Sequence, residues 1–561
     1  MQAAILFEPD GYLLNGPKLM GRQSAGYGFL RAAVAATSPG EKLSAYTPSR
    51  QSFDAFAQAV RSLDRNLAPH WIPASRLDLL TQAGTLYRPD SAINVSAALR
   101  LRAGLAAYSL CGVTHTLSSE AALRHMFDLL TTPIMPWDAL VCTSRAALTL
   151  SQEALGQHAD YLSWQMGHPV RPPQLQLPVI PLGVHTSDFA TSAEGRAKAR
   201  RRLRIADDEI AALFAGRLSF SGKAHPVSML QGLQAAHERT GKRIVLIQAG
   251  SFPNAQIEGL YRKAATEFSP DVRCHFVDGQ DFAAYSAAWQ AADLFVSMSD
   301  NIQETFGLTP VEAMAAGLPV IVSDWNGYKD TVRDGVDGFR IRSWAPPQEP
   351  DDLIARDYEA RMGNYDMYLV RVSSAVSIDQ RQLNDRLSEL VSDAGLRKRL
   401  GAAGQAHARA SFDWGVIYSQ YQALWAELGA IRRAHAEDPV QVERLAMAPR
   451  RHPVSPDPYA LFAHYPTALI SSAMRLEATT AAGMDRFESL IGNPLFALAN
   501  VGKETAAAVF AALEGPSTVA EVAARSGLPQ RLVIDAVARL AKMGMVELSE
   551  NHPVAEGGLP I

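Results

Sequence analysis

The chain has 561 residues, of which 47% are hydrophobic and 20% are charged. At roughly 150 residues per domain, this predicts about three or four folding units, and the composition excludes disorder, a collagen-like chain or a coiled coil as the main architecture. The 53 Lys and Arg residues nearly balance the 57 Asp and Glu residues. We therefore expect no bulk electrostatic capture of nucleic acid.

The N-terminal sequence does not have the pattern of a signal peptide, because Glu8 and Asp10 follow its short apolar run too closely. No apolar run approaches the roughly 20 residues of a membrane helix. Cys111, Cys142 and Cys274 lack metal-ligand spacing and suit a reducing compartment. These features predict a cytoplasmic protein without a transmembrane segment; peripheral membrane contact and homo-oligomer formation stay open.

The first ~430 residues alternate short apolar runs with longer helical patterns, which predicts βαβ units and parallel sheets. Most of these runs are continuously apolar, as expected of strands that helices cover on both faces. An extended, Pro-containing segment at residues 176–189 marks a boundary between two such layers. The predicted strands are Ala3–Phe7, Lys42–Tyr46, Ala106–Gly112, Ala139–Cys142, Ile210–Ala215, Arg243–Gln248, Val272–Val277, Asp293–Ser297 and Pro319–Ser323.

The remainder of the chain has a different pattern. Residues 413–428 predict an amphipathic helix with large aromatic side chains, and residues 432–456 are charged and Pro-bearing, as in a linker. Residues 457–561 are Ala-rich and mostly helical, and residues 518–548 are typical of a winged helix-turn-helix. Basic and acidic residues balance there, whereas nucleic-acid readers usually show a basic excess. A protein- or peptide-docking module or a dimerisation element is therefore favoured over DNA binding.

The pattern that points most directly to chemistry lies at residues 300–341. Glu304 and Glu312 are separated by seven residues, Gly307 lies in the loop between them, and a helix is predicted to begin at Thr309. The free N–H groups of that helix start would face a ligand above the glycine, which predicts an anion site that a diphosphate fits. Glu312 has a second interpretation, because its spacing from Thr309 is that of a capping box.

A second group of candidates follows predicted strand ends. Arg217 and Lys223 flank a turn after the strand at residues 210–215, at the sheet edge where α/β folds bind ligands. Two cations there would neutralise a departing diphosphate, although a simple surface turn is the alternative. His115 also follows an apolar run, where structural and functional roles are both open. The Gly-rich stretch 16–28 lacks the GxGxxG pattern and gives little support for dinucleotide binding.

Together these residues resemble the retaining glycosyltransferases of family 4, which have the GT-B fold. The resemblance covers about residues 1–430 and is carried by the two glutamates within ETFGLTPVEAMAAGLPVIVSD, the GRL…K turn, the IPLGV stretch and the closing DW…YQALW helix. It implies an α/β fold with two Rossmann-like parallel-sheet domains that face a central cleft, followed by a mostly helical C-terminal domain. The implied divisions are an acceptor-side domain at 1–180, a nucleotide-sugar-binding domain at 181–412, a helix returning to the first domain at 413–431, a linker at 432–456 and the extension at 457–561.

The resemblance also implies roles for individual residues. Arg217 and Lys223 would contact the donor diphosphate, and Glu304 would contact the donor sugar. Glu312 would contact the ribose hydroxyls. The implied catalytic residues are Glu304, His115, Arg217 and Lys223, and the implied donor-binding residues are Arg217, Lys223, Glu304, Phe306, Gly307, Leu308 and Glu312. An N-terminal loop of Gly21, Arg22, Gln23 and Ser24 would complete the site.

The implied reaction moves a hexose from a nucleotide-diphosphate sugar to an acceptor hydroxyl with retention of configuration, by front-face attack. The acceptor would be a glycan, or a peptide or protein recruited by the C-terminal domain. No metal or other cofactor is expected, because two cations and a helix N-terminus supply the positive charge. The alternative is a non-enzymatic nucleotide-sugar sensor that acts through the winged-helix-like segment; the sugar-facing Glu304 favours the enzyme.

The sequence departs from the family pattern at several places. The interval from Arg217 to Lys223 is one residue longer than the commonest spacing, and His185 stands where the family usually has Asp. The N-terminal loop lacks the frequent pair of glycines. Residues 351–380 look like an insertion, to which the resemblance assigns no role.

Overall fold

The computed structural model describes residues 2–13, 21–348, 352–496 and 501–550. The chain divides into two compact units, Met1–Val454 and Ser455–Ile561. The first unit contains two six-stranded parallel sheets, each covered by helices on both faces. The α/β fold class with two parallel-sheet domains, predicted from the sequence, is therefore confirmed.

The first sheet has the strand order β3-β2-β1-β4-β5-β6. The order changes direction between β1 and β4, so the loops that leave these two neighbours open a crevice at their carboxyl ends. Its strands are β1 Ala4–Leu6, β2 Lys42–Thr47, β3 Ala68–Pro73, β4 Thr85–Tyr87, β5 Ser109–Val113 and β6 Ala139–Val141. Its helices are α1 Pro9–Tyr12, α2 Gly21–Ala35, α3 Arg50–Leu63, α4 Leu77–Ala83, α5 Ile93–Arg100, α6 Glu120–Phe127 and α7 Arg145–Met166.

The second sheet repeats this arrangement, with the order β12-β11-β10-β7-β8-β9. Here the order reverses between β7 and β10. Its strands are β7 Ile210–Ala215, β8 Ile244–Gly250, β9 Arg273–Asp278, β10 Leu294–Ser297, β11 Val320–Ser323 and β12 Gly338–Ile341. The helices around it are α8 Ala193–Arg202, α9 Val227–Thr240, α10 Ala255–Phe268, α11 Phe282–Ala291, α12 Leu308–Ala315 and α13 Tyr328–Thr331.

Three strands of the two parallel sheets, β3, β4 and β12, are absent from the sequence predictions. β3 (APHWIP) contains two prolines and is half-exposed at the sheet edge, and β4 has only three residues. β12 begins at Gly338, where an added Cβ would lie 2.0 Å from the Val320 carbonyl oxygen. Each strand therefore lacks the long apolar run that identifies its neighbours.

The two sheets are connected twice. The segment at residues 176–189 runs beside β6, where the Leu140 N–H donates to the Gln176 carbonyl at 3.0 Å. The chain then returns through a long helix, α18, at Trp414–Glu437. Its Trp414 ring packs so closely on Gly28 and Gly183 that a Cβ on either glycine would lie within 2.4 Å of the indole. The predicted aromatic helix thus contributes side chains to the core of the first sheet.

The segment predicted as a linker is largely helical. α18 continues to Glu437, and α19 follows at Pro439–Ala446. Asp438 explains the break, because it caps α19 by accepting from the Val440 N–H. Both helices end before the boundary of the first unit at Val454.

The region predicted as an insertion forms a helical hairpin between two short strands. The strands β13 Ser343–Trp344 and β14 Ser377–Ile378 pair antiparallel at its base. Between them lie α14 Leu353–Glu359 and α15 Tyr365–Ser373. We call residues 353–376 the cleft hairpin. It is followed by α16 Gln380–Ser392 and α17 Ala394–Ser411.

The second unit has its own core, in which Leu476, Val509, Val522 and Val537 are fully buried. Helices predominate, as predicted, but three strands form an antiparallel sheet in the order β16-β15-β17. The winged-helix identity of this region stays a prediction. The elements are α20 Pro458–Leu461, β15 Arg475–Ala478, α21 Met484–Ile491, α22 Lys503–Ala512, β16 Ser517–Thr518, α23 Val519–Ser526, α24 Gln530–Lys542 and β17 Val546–Ser549. Across the described part of the chain, no helix combines the length and apolar character needed to span a bilayer.

Candidate functional site

The candidate site lies where the second sheet reverses its strand order. β7 and β10 are neighbours, and the loops that follow them meet at their carboxyl ends. The Asn301 side chain donates to the Ser221 carbonyl at 2.6 Å, and the His225 N–H donates to Asp300 Oδ2 at 3.2 Å. These bonds join segments about 80 residues apart, so the topology builds a crevice of the kind in which open α/β sheets bind ligands.

The predicted cations and the first glutamate meet in this crevice. Lys223 Nζ lies 2.8 Å from Glu304 Oε2, and Arg217 Nη2 donates to Gln303 Oε1 at 2.8 Å. The Glu304 side chain is 10% exposed, and that of Lys223 is 32% exposed. Because Arg217 bonds to a neutral amide, its charge is not cancelled by a carboxylate there.

The environment of Glu304 favours its ionised form. Burial alone would raise the pKa of this carboxyl group, but the Lys223 ammonium, through its charge and its hydrogen bond, lowers the pKa below its ordinary value. The Thr305 and Phe306 N–H groups add donors to Oε1 at 3.3 and 3.4 Å. The crevice therefore holds a fixed negative charge beside two cations.

Helix α12 starts at Leu308, one residue earlier than predicted. Gly307 is its N-cap, with φ +90°, and an added Cβ there would lie 2.0 Å from the Tyr328 ring. Among the described residues no side chain caps the helix, so its first N–H groups are available to a ligand. Phe306 packs into the core against Phe412, and its backbone N–H donates to Glu304.

Glu312 does not form the capping box that its spacing allows. Gly307 occupies the N-cap, Thr309 lies inside the helix, and the Glu312 carboxylate makes no hydrogen bond to a described residue. Burial raises the pKa of Glu312 to about 7, with Lys223 opposing the shift. A half-buried carboxylate near a cation, with no hydrogen-bond partner in the described part of the chain, is available for a ligand.

The N-terminal domain presents its own polar group at the crevice of the first sheet. His115 follows β5 and donates to the backbone carbonyl of Pro89, which follows β4. Burial lowers the pKa of His115 to about 4; Asp90 and the hydrogen bond oppose this shift, and Arg22 adds to it. The imidazole is therefore neutral at pH 7.

The predicted N-terminal loop is only partly a loop. Gly21, Arg22, Gln23 and Ser24 form the first turn of α2, which begins at Gly21 rather than near Ala25. Arg22 forms an ion pair with Asp10 at 2.5 Å, and Gln23 donates to the same carboxylate at 3.4 Å. Residues 14–20, which include most of the Gly-rich stretch before Gly21, lie outside the described residues.

Direct contacts hold the two domains against each other beside the site. The Ser144 hydroxyl donates to the Thr305 carbonyl at 2.7 Å, one residue from Glu304. Arg145 bonds to Asp330 through its backbone N–H and its Nε, both at 2.6 Å. His185, which departs from the family pattern, bonds to the Gly28 carbonyl at 3.0 Å and so serves as a contact between the domains.

Asp300 is a site-proximal group that the sequence reasoning missed. The residue is 5% exposed, its Oδ1 has no partner among the described residues, and burial raises its pKa to about 7. Its position directly before the glutamate motif is the signal that could have singled it out. Within the described ranges, no three His, Cys, Asp or Glu side chains cluster as metal ligands.

The comparisons with known proteins are consistent with this geometry. Residues 195–356 match the family model "Glycosyl transferases group 1". The chain is 26% identical over 262 residues to the D-inositol 3-phosphate glycosyltransferase of Nocardia farcinica, covering 46% of this chain and 49% of that protein. It is 27% identical over 246 residues to the phosphatidyl-myo-inositol mannosyltransferase of Mycobacterium tuberculosis, covering 44% and 53%. The chain thus spans about half the length of these curated relatives.

Among solved structures, the chain is similar to Anabaena HepE in complex with UDP. The TM-score is 0.49 and the identity 17%, over 76% of this chain and 100% of that one. The family match covers β7 to β12 and every predicted donor-binding residue. The similarity to the glycosyl transferases group 1 model thus lies in residues 195–356, the part of the chain that holds the candidate crevice.

Proposed function

We propose that this protein is a retaining glycosyltransferase that moves a hexose from a nucleotide-diphosphate sugar to an acceptor hydroxyl. One observation carries the proposal: Arg217, Lys223, Glu304 and the uncapped start of α12 converge where β7 and β10 diverge. Two cations and a helix N-terminus around one crevice suit a diphosphate. The carboxylate beside them suits a sugar rich in hydroxyl groups.

In this proposal, catalysis depends mainly on electrostatic stabilisation of the transition state. As the bond between the sugar and the diphosphate breaks, negative charge grows on the departing phosphate. Arg217, Lys223 and the N–H groups at the start of α12 stabilise this charge, and the loss of one such contact typically costs about 100-fold or more in turnover. Lys223 and Glu304 form an ion pair in the free protein. The donor phosphate therefore competes with Glu304 for Lys223.

The remaining residues position the sugar and the nucleotide. Glu304, held ionised by Lys223, accepts hydrogen bonds from the sugar hydroxyls and favours positive charge at the anomeric carbon. Glu312 binds the ribose hydroxyls as a carboxylate. His115, neutral because burial lowers its pKa, contributes a hydrogen bond to the sugar rather than a proton. The leaving phosphate takes the proton of the acceptor hydroxyl, so that attack and departure occur on one face. The charges supplied by the chain make a metal unnecessary in this mechanism.

The acceptor is a glycan, or a peptide or protein that the region after residue 456 recruits. The names of the relatives make inositol phosphate the first small acceptor to test. We propose that the reaction takes place in the cytoplasm.

The deciding experiment is a screen of UDP-, GDP- and ADP-sugars against the purified full-length protein. Thermal stabilisation identifies the donor, and release of the nucleoside diphosphate in the presence of myo-inositol phosphate, methyl glycosides or oligosaccharides reports transfer. We expect one donor to raise Tm and to turn over, and the product to keep the anomeric configuration of the donor. A product of inverted configuration would refute the retaining mechanism.

The same screen separates the enzyme from the sensor alternative. Donor binding with no release of diphosphate under any acceptor would favour a sensor. As a matched control, Lys198→Ala removes an exposed cation on α8, outside the crevice. It should leave donor binding unchanged, whereas Lys223→Ala should weaken it.

A further inference from the structure

The cleft hairpin is the element that the proposed function leaves without a role. Its base is tied to the donor side: the Asp379 N–H donates to the Arg342 carbonyl at 2.9 Å, and the Ser343 hydroxyl donates to the Asp324 carbonyl at 3.1 Å. Asp324 precedes Trp325, whose indole N–H donates to the Asn301 carbonyl. The hairpin is thus built onto the loops that hold the glutamate motif.

The hairpin is a packed element rather than a loose loop. Arg371 on α15 pairs with Asp357 on α14 at 2.8 Å. The rings of Tyr358 and Tyr368 stack with centroids 4.6 Å apart, and Leu369 is 1% exposed. These contacts fix the positions of the side chains at its tip.

The tip crosses to the N-terminal domain. Tyr365 Oη lies 2.6 Å from Ser118 Oγ, and Arg361 Nη1 lies 3.0 Å from Glu120 Oε2. Ser118 is three residues beyond His115, in the loop between β5 and α6. The hairpin therefore rests on the same loop that brings His115 to the crevice of the first sheet.

This crossing constrains the acceptor. The donor residues of the crevice lie on the second sheet, so under the proposed function the acceptor hydroxyl approaches from the side of His115 and Ser118. The cleft hairpin reaches from the second sheet to this loop and so blocks one direction of that approach. A bridge at this place leaves less room for a long glycan chain than for a compact acceptor.

We propose that the cleft hairpin forms the acceptor-side wall of the site and that Tyr365 and Arg361 are specificity-determining residues that select compact acceptors over polymeric ones. The inference rests on the proposed glycosyl transfer and, among the acceptors considered there, favours a small glycan over a peptide or protein. The hydroxyl of Tyr365 and the guanidinium of Arg361 hold the wall in place through Ser118 and Glu120.

The test compares acceptors that differ only in size, with the donor found in the screen. Methyl glycosides serve as compact probes, and the matching trisaccharides and hexasaccharides serve as long ones. We expect the wild-type protein to have the higher kcat/KM for the methyl glycoside. In Tyr365→Ala combined with Arg361→Ala, the ratio of kcat/KM for short over long acceptors should fall about 5-fold or more, while the donor KM changes less than about 2-fold.

A double-mutant cycle distinguishes the positioning role of the hydrogen bond between Tyr365 and Ser118 from a general loosening of the fold. Tyr365→Phe and Ser118→Ala each remove one partner of the same hydrogen bond, so their combination should change the ratio no further than either alone. Met367→Ala alters an exposed residue on the same hairpin, 53% accessible; because the proposal holds the wall in place through Tyr365 and Arg361, this variant should leave the ratio at its wild-type value.

The possible outcomes distinguish a failure of the proposed glycosyl transfer from a failure of the role proposed for the cleft hairpin. Wild-type protein that turns over no donor refutes the proposed function itself. Transfer by the wild-type protein with an unchanged ratio in the variants, or with a wild-type preference for the hexasaccharide, overturns the role of the hairpin alone. In the variants, a parallel rise in the donor KM and in both acceptor KM values would also overturn the role of the hairpin. Such a rise would show that the cleft had opened generally.

Discussion

Replacing Glu312 with Gln distinguishes a role in donor binding from a role in stability. The substitution should weaken donor binding but raise the free energy of unfolding. Gln keeps the shape of the side chain and removes its charge. In the folded protein, burial raises the pKa of Glu312 to about 7, from an ordinary value of 4.5. The unfolded chain therefore releases this proton at lower pH than the folded protein does, and the carboxylate lowers the free energy of unfolding as pH rises from about 4.5 to 7.

The size of the effect follows from the shift. A pKa of about 7 corresponds to roughly 3 kcal/mol against the folded, ionised form. Because the side chain is half-buried, solvent screens part of this cost, and we expect about 1–3 kcal/mol. Glu312→Gln should therefore match the wild-type free energy of unfolding near pH 4.5 and exceed it by this amount at pH 8. If the carboxylate binds ribose, the same variant should raise the donor KM about 10-fold at pH 8.

Two measurements on the same protein test this reasoning. Urea unfolding between pH 4.5 and 8 gives the stability difference, and donor KM across the same range gives binding. In the wild-type protein, donor KM should fall as pH rises through about 7, and the variant should lose that dependence. Glu267→Gln, on the exposed face of α10, makes the same chemical change at the surface and should alter neither curve. A variant less stable than wild type at pH 8, with donor KM unchanged, would refute the reasoning and restore a structural role for Glu312.

Arg217→Ala and Lys223→Ala should each lower kcat by about 100-fold or more in a steady-state assay of diphosphate release; near-normal kcat in both folded variants would refute the diphosphate contacts. Gly307→Ala should lower the free energy of unfolding by about 2–4 kcal/mol in urea, because the new Cβ adopts φ +90° and lies 2.0 Å from the Tyr328 ring. A change below about 1 kcal/mol would show that this loop yields at little cost. Deletion of residues 455–561 should leave slow donor hydrolysis intact and reduce transfer to the natural acceptor; equal transfer rates would contradict acceptor recruitment by that unit.

The local hydrophobic pattern of the sequence predicted most of the strands that are largely buried. Ile210–Ala215 matches β7 at both ends, since a continuous apolar run ends at Gly216, whose φ of +139° stops the strand. β3 and β12 could not be found in this way. β3 lies at the sheet edge with half-exposed side chains, and β12 is recognisable only once Gly338 is seen against the Val320 carbonyl.

The candidate site was predictable as a set of residue types but not as a set of contacts. The ion pair between Lys223 and Glu304 joins residues 81 positions apart, and nothing local specifies that distance. The spacing of Thr309 and Glu312 allowed two interpretations, and only the position of Gly307 as N-cap excludes the capping box. The cleft hairpin shows the same limit, because its contact with Ser118 depends on how two domains face each other.

The packing of α18 has a consequence for the order in which the chain can fold. Trp414 and Trp425 belong to the core of the first sheet, and the Tyr418 hydroxyl donates to the side chain of Gln2, 416 positions earlier. On the ribosome, this core stays incomplete until most of the chain has emerged, so the first domain cannot finish folding before the second is synthesised. An isolated N-terminal fragment would expose Phe29 and Tyr87 to solvent and would be prone to aggregate. The domain that begins the chain is therefore the later of the two to become stable.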